Sequence, residues 1–157
     1  MAHDDFINMI HEEHEMVMDM LEQIKQMPDS NYTGREEMFN KLKSELVPHM
    51  KGEEKAFYPV LRKHREAKED ALEALEEHHI AEVSMMELDR MSKQEEFWGA
   101  KLSVFKELIE HHIEEEESKV FKDARDYISH EQMQEILSSY QAEKQSTKEK
   151  VMSTGSM

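Results

Sequence analysis

The amino-acid sequence predicts an all-α fold, an up-down-up-down four-helix bundle with a short fifth C-terminal helix. The 157 residues include only 4 Gly and 3 Pro, so residues that interrupt helices are scarce. Apolar side chains recur every three or four positions in four long segments, which is the helical pattern. Charged residues make up 36% of the chain, as expected for helices with one solvated face.

The first helix is expected over residues 4–27, before the Pro- and Gly-containing segment 28–34 ends it. Its inner stripe is Phe6, Ile7, Ile10, His14, Val17, Met18, Leu21 and Ile24. Each residue of a helix turns about 100° from the one before it, so His14 lies within the stripe and His11 lies at its edge.

The second helix is expected to begin near Thr33 or Arg35. Pro48 and Pro59 lie within it, and each removes one backbone hydrogen bond, so we expect a bend near each. Its inner stripe is Phe39, Leu42, Leu46, His49, Glu53, Phe57 and Val60.

Two further long helices complete the predicted bundle. The third is expected over residues 66–91, with an inner stripe of Leu72, Leu75, His79, Val83 and Met86. The fourth is expected over residues 94–127, with an inner stripe of Leu102, Phe105, Leu108, Ile109, His112, Glu116 and Val120.

A short fifth helix is expected to follow a capping box formed by Ser129 and Gln132. Met133, Ile136, Leu137 and Tyr140 are its apolar residues. The bundle domain is thus predicted over residues 1–145. Residues 146–157 are expected to form a polar, disordered tail.

Composition excludes several classes of function. The net charge of −16 disfavours nucleic acid and anionic membranes as partners. The absence of cysteine excludes disulfides, thiolate zinc sites and iron–sulfur clusters. No phosphate loop, dinucleotide fingerprint or nucleophile elbow is present. The N-terminus is acidic and does not resemble a signal peptide, so a cytoplasmic location is expected.

Two His-x-x-x-Glu pairs are the candidate functional motifs, His49 with Glu53 and His112 with Glu116. A spacing of four residues puts both side chains of a pair on one helix face. An inward carboxylate costs several kcal/mol unless it is paired or bound to a metal. Imidazole and carboxylate are ligands of iron, manganese and zinc, so the pairs predict a metal site inside the bundle. The alternative is an acidic bundle with structural histidines.

A lone inward His is expected on the helix that precedes each pair, which indicates a repeat of two helical hairpins. His14 is the first of these residues. For the second, His79 is preferred over His78 because Leu75 and Val83 flank it at four-residue steps, although His78 shares a side with Ala81, Met85 and Leu88. By the same argument, His112 is preferred over His111. His11 and Glu117 remain further candidates.

The order of these motifs resembles the hemerythrin-like, HHE cation-binding domains over roughly residues 4–127. The segments that carry the resemblance are His11-Glu-Glu-His14-Glu, His49-Met-Lys-Gly-Glu-Glu-Lys-Ala-Phe-Tyr-Pro59, Glu76-Glu-His-His79 and His111-His-Ile-Glu-Glu-Glu-Glu117. The resemblance implies two non-heme iron ions joined by an oxygen atom or by carboxylates. It also implies His14, His49, His79 and His112 as nitrogen ligands and Glu53 and Glu116 as bridging carboxylates. Manganese or zinc are alternatives, since they share these ligands.

The chain departs from the oxygen-carrying hemerythrins, which it otherwise resembles. Those proteins use five histidines, with two on the third helix four residues apart, whereas Glu82 and Val83 occupy the corresponding positions here. They also place an acid five residues after the last His, where this chain has Glu117 in addition to Glu116. The pattern therefore resembles the broader HHE group, in which His11, His78 or solvent could complete the coordination.

Binding or sensing of O2 or a related small oxidant, NO or peroxide, is the function expected from the resemblance. One alternative is a di-iron enzyme that acts on peroxide, NO or ferrous iron. Another is an iron-handling or interaction module. No catalytic residue is assigned, although Tyr58 and Tyr127 are candidates for a redox or hydrogen-bonding role near the metals.

Overall fold

The computed structural model describes the backbone of residues 2–154 and the side chains of residues 3–152. Within this part of the chain the fold is all-α, which confirms the predicted class. The α-helices are α1 (Ala2–Gln26), α2 (Tyr32–Gly52), α3 (Tyr58–Leu61), α4 (Lys68–Arg90), α5 (Trp98–Glu115), α6 (Phe121–Tyr127) and α7 (His130–Thr154). None of these helices is long and apolar enough to cross a membrane.

Two π-helical segments join consecutive α-helices into longer rods. The first, Glu53–Phe57, links α2 to α3, and the second, Glu116–Val120, links α5 to α6. Pro48 lies within α2, which continues to Gly52. Pro59 follows the first π-helical segment, but the second segment contains no proline. Both segments instead begin at the Glu of a His-x-x-x-Glu pair, and such segments are frequent at functional sites.

The apolar core consists of two clusters separated by a polar layer. One cluster includes Ile10, Phe57 and Val120, and the other includes Val17, Leu42 and Ile109. On α1, for example, His14 lies between Ile10 of the first cluster and Val17 of the second. The inward histidines therefore lie midway along the bundle, with apolar packing above and below them.

The predicted inner face of the third helix is wrong. The residues of α4 that are buried are Ala71, Ala74, His78, Ala81, Met85 and Leu88. Leu72 and Val83 are 40% and 43% exposed, and His79 is exposed as well. The sequence interpretation gave weight to the larger aliphatic side chains, whereas alanine, which is commonly buried, lines the inner face here.

The fifth helix is present but longer than the segment assigned from the sequence. The Ser129–Gln132 capping box forms, because Gln132 N–H donates to Ser129 Oγ at 3.2 Å and Ser129 N–H donates to Gln132 Oε1 at 3.3 Å. Residues 146–154, expected to be a disordered tail, continue α7 instead, and residues 155–157 lie outside the described part. Val151 is buried in the core cluster and Lys148 Nζ lies 2.8 Å from Glu45 Oε1, so this last part of α7 has packing partners on the bundle.

Candidate metal centre

A buried cluster of four histidines and two glutamates lies in the polar layer of the bundle. Within it, two groups of side chains place one nitrogen or oxygen atom per residue within 4.8 Å of one another. The first group is His14, His49, Glu53 and Glu116, and the second is Glu53, His78, His112 and Glu116. Because both groups contain the same two carboxylates, the cluster has the composition of two neighbouring cation sites that share their carboxylate ligands.

Glu53 contacts one histidine from each group. Its Oε1 lies 3.1 Å from His49 Nε2 and 3.4 Å from His78 Nε2. Glu53 is fully buried, and neither of its oxygens has a hydrogen-bond partner of acceptable geometry among the described residues. A carboxylate in this position is costly unless an ion compensates it, so the side chain fits a cation ligand.

Glu116 has the corresponding position on the second rod. Its Oε1 lies 3.2 Å from His14 Nε2, and its Oε2 lies 3.6 Å from His112 Nε2. Glu116 Oε1 and His14 Nε2 also have no hydrogen-bond partner within the described residues. Both atoms are buried and face each other, so they fit the ligands of a cation bound between them.

Comparison with known proteins identifies the family. The sequence model of the hemerythrin HHE cation binding domain matches residues 5–124. The chain belongs to this family. A crystal structure of a hemerythrin HHE cation binding domain-containing protein from Mycobacterium kansasii has the same fold, with a TM-score of 0.72 and 22% sequence identity over 96% of this chain and 93% of that chain. A search of curated proteins finds no match.

Each inward histidine of this hemerythrin-like domain is held from outside by a second carboxylate. The Nδ1 distances are 2.7 Å from His14 to Glu117 Oε2, 2.8 Å from His49 to Glu13 Oε1, 2.9 Å from His78 to Glu54 Oε2 and 2.7 Å from His112 to Glu77 Oε1. Since a carboxylate accepts, Nδ1 donates, which leaves Nε2 as the nitrogen that faces the cluster. This arrangement is common for histidines that bind metals.

Charge interactions inside the cluster shift the pKa values of its members. Burial opposes a charge on His49, but Glu53 and Glu13 outweigh it and raise the pKa of His49 to about 10. Burial also raises the pKa of Glu53, yet His49 and the contacts with Glu116 and His78 hold it well below the ordinary range. A proton on His49 thus balances the charge of Glu53 in the metal-free protein, and a bound cation would replace that proton.

Tyr58 adds an oxygen to the cluster that the ligand motifs do not include. Its side chain is fully buried, and its hydroxyl donates a hydrogen bond to Glu116 Oε2. The same hydroxyl lies 3.2 Å from His78 Nε2. Burial and the charge of Glu116 raise the pKa of Tyr58 well above its usual range, so the hydroxyl stays protonated. Tyr127, by contrast, is partly exposed and stacks on His64 at 6.2 Å between ring centroids.

The structure brings together five of the six ligands expected from the sequence: His14, His49, Glu53, His112 and Glu116. The sixth, His79, points to solvent and His78 occupies its place, because α4 presents its alanine face to the core.

The further candidates lie outside the cluster. The side chain of His111 is 65% exposed, and that of His11 is 49% exposed. Glu117 acts from outside the cluster, as the partner of His14.

Sequence reasoning named Glu117 only as a further ligand candidate and missed the other three outer carboxylates, although the repeat contains a signal for them. Glu13 directly precedes His14, and Glu77 directly precedes His78. In the same way, a second Glu directly follows each inward Glu of the two His-x-x-x-Glu pairs. Alignment of Glu12-Glu-His14 with Glu76-Glu-His78 selects His78 without any argument from helical phase.

Proposed function

We propose that this chain is a non-heme di-iron protein that binds or senses O2 or a related small oxidant such as NO or peroxide. One iron would be held by His14 and His49 and the other by His78 and His112, with Glu53 and Glu116 bridging them. The observation that carries the proposal is that two fully buried carboxylates each contact one histidine from both pairs. Manganese and zinc accept the same ligands, so metal analysis is part of the test.

The donor set supports iron. Imidazole nitrogens and carboxylate oxygens suit Fe(II) and Fe(III), and the two glutamates would offset part of the charge of two cations. Bound iron would supply one-electron chemistry and an open position for a small ligand. The protein residues supply the rest: outer carboxylates that fix the histidines, and apolar clusters that keep water from both ends of the layer.

A small apolar cavity beside the histidines supports a ligand of diatomic size. Its volume is about 10 Å³, close to the minimum for one water molecule. Apart from the four histidines, it is lined by Val17, Leu46, Met50, Ala81, Ile109 and Ile113. Such a lining favours a small, weakly polar molecule and leaves no room for a bulky organic substrate.

A catalytic role is the second candidate, and Tyr58 is the observation that favours it. A buried phenol in contact with Glu116 and close to His78 could deliver a proton or a hydrogen atom to a reacting oxidant. Steady turnover of peroxide that is lost in Tyr58→Phe, at unchanged iron content, would support the enzyme. Stoichiometric binding without turnover would support the binding protein.

Iron loading under argon tests the proposal. We expect two iron ions per chain by elemental analysis, and a change in the visible spectrum when air or NO is admitted. His79→Ala and His111→Ala are matched controls, since both side chains are exposed histidines next to an inward one. Binding of fewer than two ions by the wild-type chain would contradict the di-iron proposal. An unchanged spectrum would contradict the proposal that the site binds O2 or NO.

A further inference from the structure

The C-terminal helix α7 lies beyond the residues matched by the family model, yet it reaches the metal cluster. It packs along α2, the first π-helical segment and α1. Tyr140, on its inner face, is fully buried. The Tyr140 hydroxyl donates a hydrogen bond to Glu13 and lies 3.0 Å from His49 Nδ1. One turn further along α7, Lys144 Nζ lies 2.7 Å from the other oxygen of Glu13.

These contacts occupy both oxygens of Glu13. Oε1 accepts from His49 Nδ1 and from Tyr140, and Oε2 accepts from Lys144. A carboxylate held at both oxygens has little freedom to rotate. The imidazole of His49 that donates to it is therefore held in one orientation, with Nε2 towards Glu53.

A glycine allows α7 to approach this closely. A Cβ atom at Gly52 would lie 2.6 Å from Cε2 of the Tyr140 ring, which is closer than real contacts allow. Gly52 is the residue before Glu53, so the tyrosine ring packs on the backbone that carries one of the inward carboxylates. The sequence of α2 thus accommodates a side chain of α7 beside the metal layer.

The other three inward histidines have supports that are closer to solvent. The side chain of Glu13 is 12% exposed, against 24% for Glu77, the partner of His112. The outer carboxylates of His14 and His78, which are Glu117 and Glu54, are 27% and 24% exposed. The support of His49 is therefore the most buried of the four.

We propose that Tyr140 and Lys144 are positioning residues for the metal held by His14 and His49, and that they make this metal bind more tightly than the one held by His78 and His112. The inference rests on the proposed two-metal function. Because Glu13 and His49 are held before the metal arrives, less reorganisation opposes binding at this position.

Stepwise binding of Fe(II) tests this inference. The full chain is titrated under argon against a competing chelator, as wild type, Tyr140→Phe and Lys144→Met. Each variant is expected to weaken one of the two affinities by about tenfold and to leave the other within about twofold. Tyr127→Phe and Lys148→Met are the controls, since they remove a hydroxyl and an ammonium group, the latter from α7 itself, away from the cluster. Melting temperatures of the metal-free variants establish that each one folds.

A second variant identifies which affinity has changed. Glu77→Gln removes the support of His112 and is expected to weaken the other metal. Both affinities should therefore fall in the Tyr140→Phe, Glu77→Gln double variant. Unchanged affinities in Tyr140→Phe and Lys144→Met, or an equal fall of both affinities, would overturn the inference while leaving two-metal binding intact. Fewer than two ions in the wild type would overturn the proposed function itself.

Discussion

The two halves of the bundle carry the same inner residues in different surroundings. In the first half, α1 and α2 contribute His14 and His49, and Glu53 follows α2. In the second half, α4 and α5 contribute His78 and His112, and Glu116 follows α5. Helix α7 packs on the first half, whereas no helix of the described chain covers the outward face of α4, where Ile80 is 48% exposed. A repeated motif thus accounts for the candidate ligands, and a helix outside the repeat gives the two groups of ligands unequal surroundings.

Removal of a carboxylate shared by the two halves should weaken iron binding in both of them, and this is the largest effect we expect. Glu53 contacts histidines of both halves, so Glu53→Ala should weaken the binding of both ions by at least about 100-fold, or about 3 kcal/mol. Anaerobic Fe(II) titration measures it. The exposed Glu36 offers the control Glu36→Ala, which should bind as the wild type does. Loss of only one ion in Glu53→Ala would mean that the carboxylate is not shared.

The two neighbouring histidines of α4 should differ in their contribution to iron affinity, and this is the second-largest effect we expect. His78→Ala should lower the affinity for one ion by about 10- to 100-fold, since His78 Nε2 faces Glu53 and His112. His79→Ala should leave both affinities unchanged. Iron content after dialysis against a weak chelator measures the difference. If His79→Ala loses iron and His78→Ala retains it, the inner face assigned to α4 is wrong.

Two glycine variants compare how closely the helices pack in the two halves, through their effect on the free energy of unfolding. Gly52→Ala should destabilise the metal-free protein by about 1–2 kcal/mol, because its Cβ would clash with Tyr140. Gly99→Ala is the matched control in α5. Its Cβ would lie 3.4 Å from the Arg35 guanidinium, so the variant should be neutral or up to about 1 kcal/mol more stable. Urea unfolding measures both, and an unaffected Gly52→Ala would argue against close packing of α7 on α2.

A buried acid in the second half should make the free energy of unfolding depend on pH, and this is the smallest effect we expect. Burial and Asp70 raise the pKa of Asp123 in α6 from 3.8 to about 7. The folded state therefore holds this proton more tightly than the unfolded chain does. The stability contributed by protonated Asp123 is complete below about pH 4 and is lost as the pH rises towards 7.

The variant Asp123→Asn measures this pH-dependent contribution to stability. At pH 8 it should be about 1 kcal/mol more stable than the wild type, and at pH 4 the advantage should disappear. Urea unfolding of the metal-free proteins at the two pH values measures it, with the exposed Asp19→Asn as the control. An advantage that is larger at pH 4 than at pH 8 would reverse the assigned sign.

Much of the fold was predictable because helical periodicity and the scarcity of Gly and Pro are properties of the sequence itself. The phase of α4 was not, since its inner and its outer face both carry large apolar side chains. Leu72 and Val83 made the outer face resemble a core stripe, although Ala74 and Ala81 are the residues that are buried. The extent of α7 was also missed, because its last turns are polar and are held by isolated contacts such as Lys148 with Glu45.

The site was predictable as far as the inner carboxylates, because burying an acid without a partner is costly. The outer partners depend on how the helices pack side by side. Glu13 on α1 supports His49 on α2, and Tyr140 reaches both from α7. Residues so distant along the chain share no periodicity that would place them together. The repeated Glu-His step at residues 13–14 and 77–78 was available, and it would have corrected the choice between His78 and His79.

Anomalous diffraction at the iron absorption edge, from a crystal of the iron-loaded protein, tests the central claim most directly. We predict two peaks inside the bundle, one coordinated by His14 and His49 and the other by His78 and His112, with Glu53 and Glu116 between them. A single peak, or peaks at the exposed His79, His111 or His11, would contradict the account.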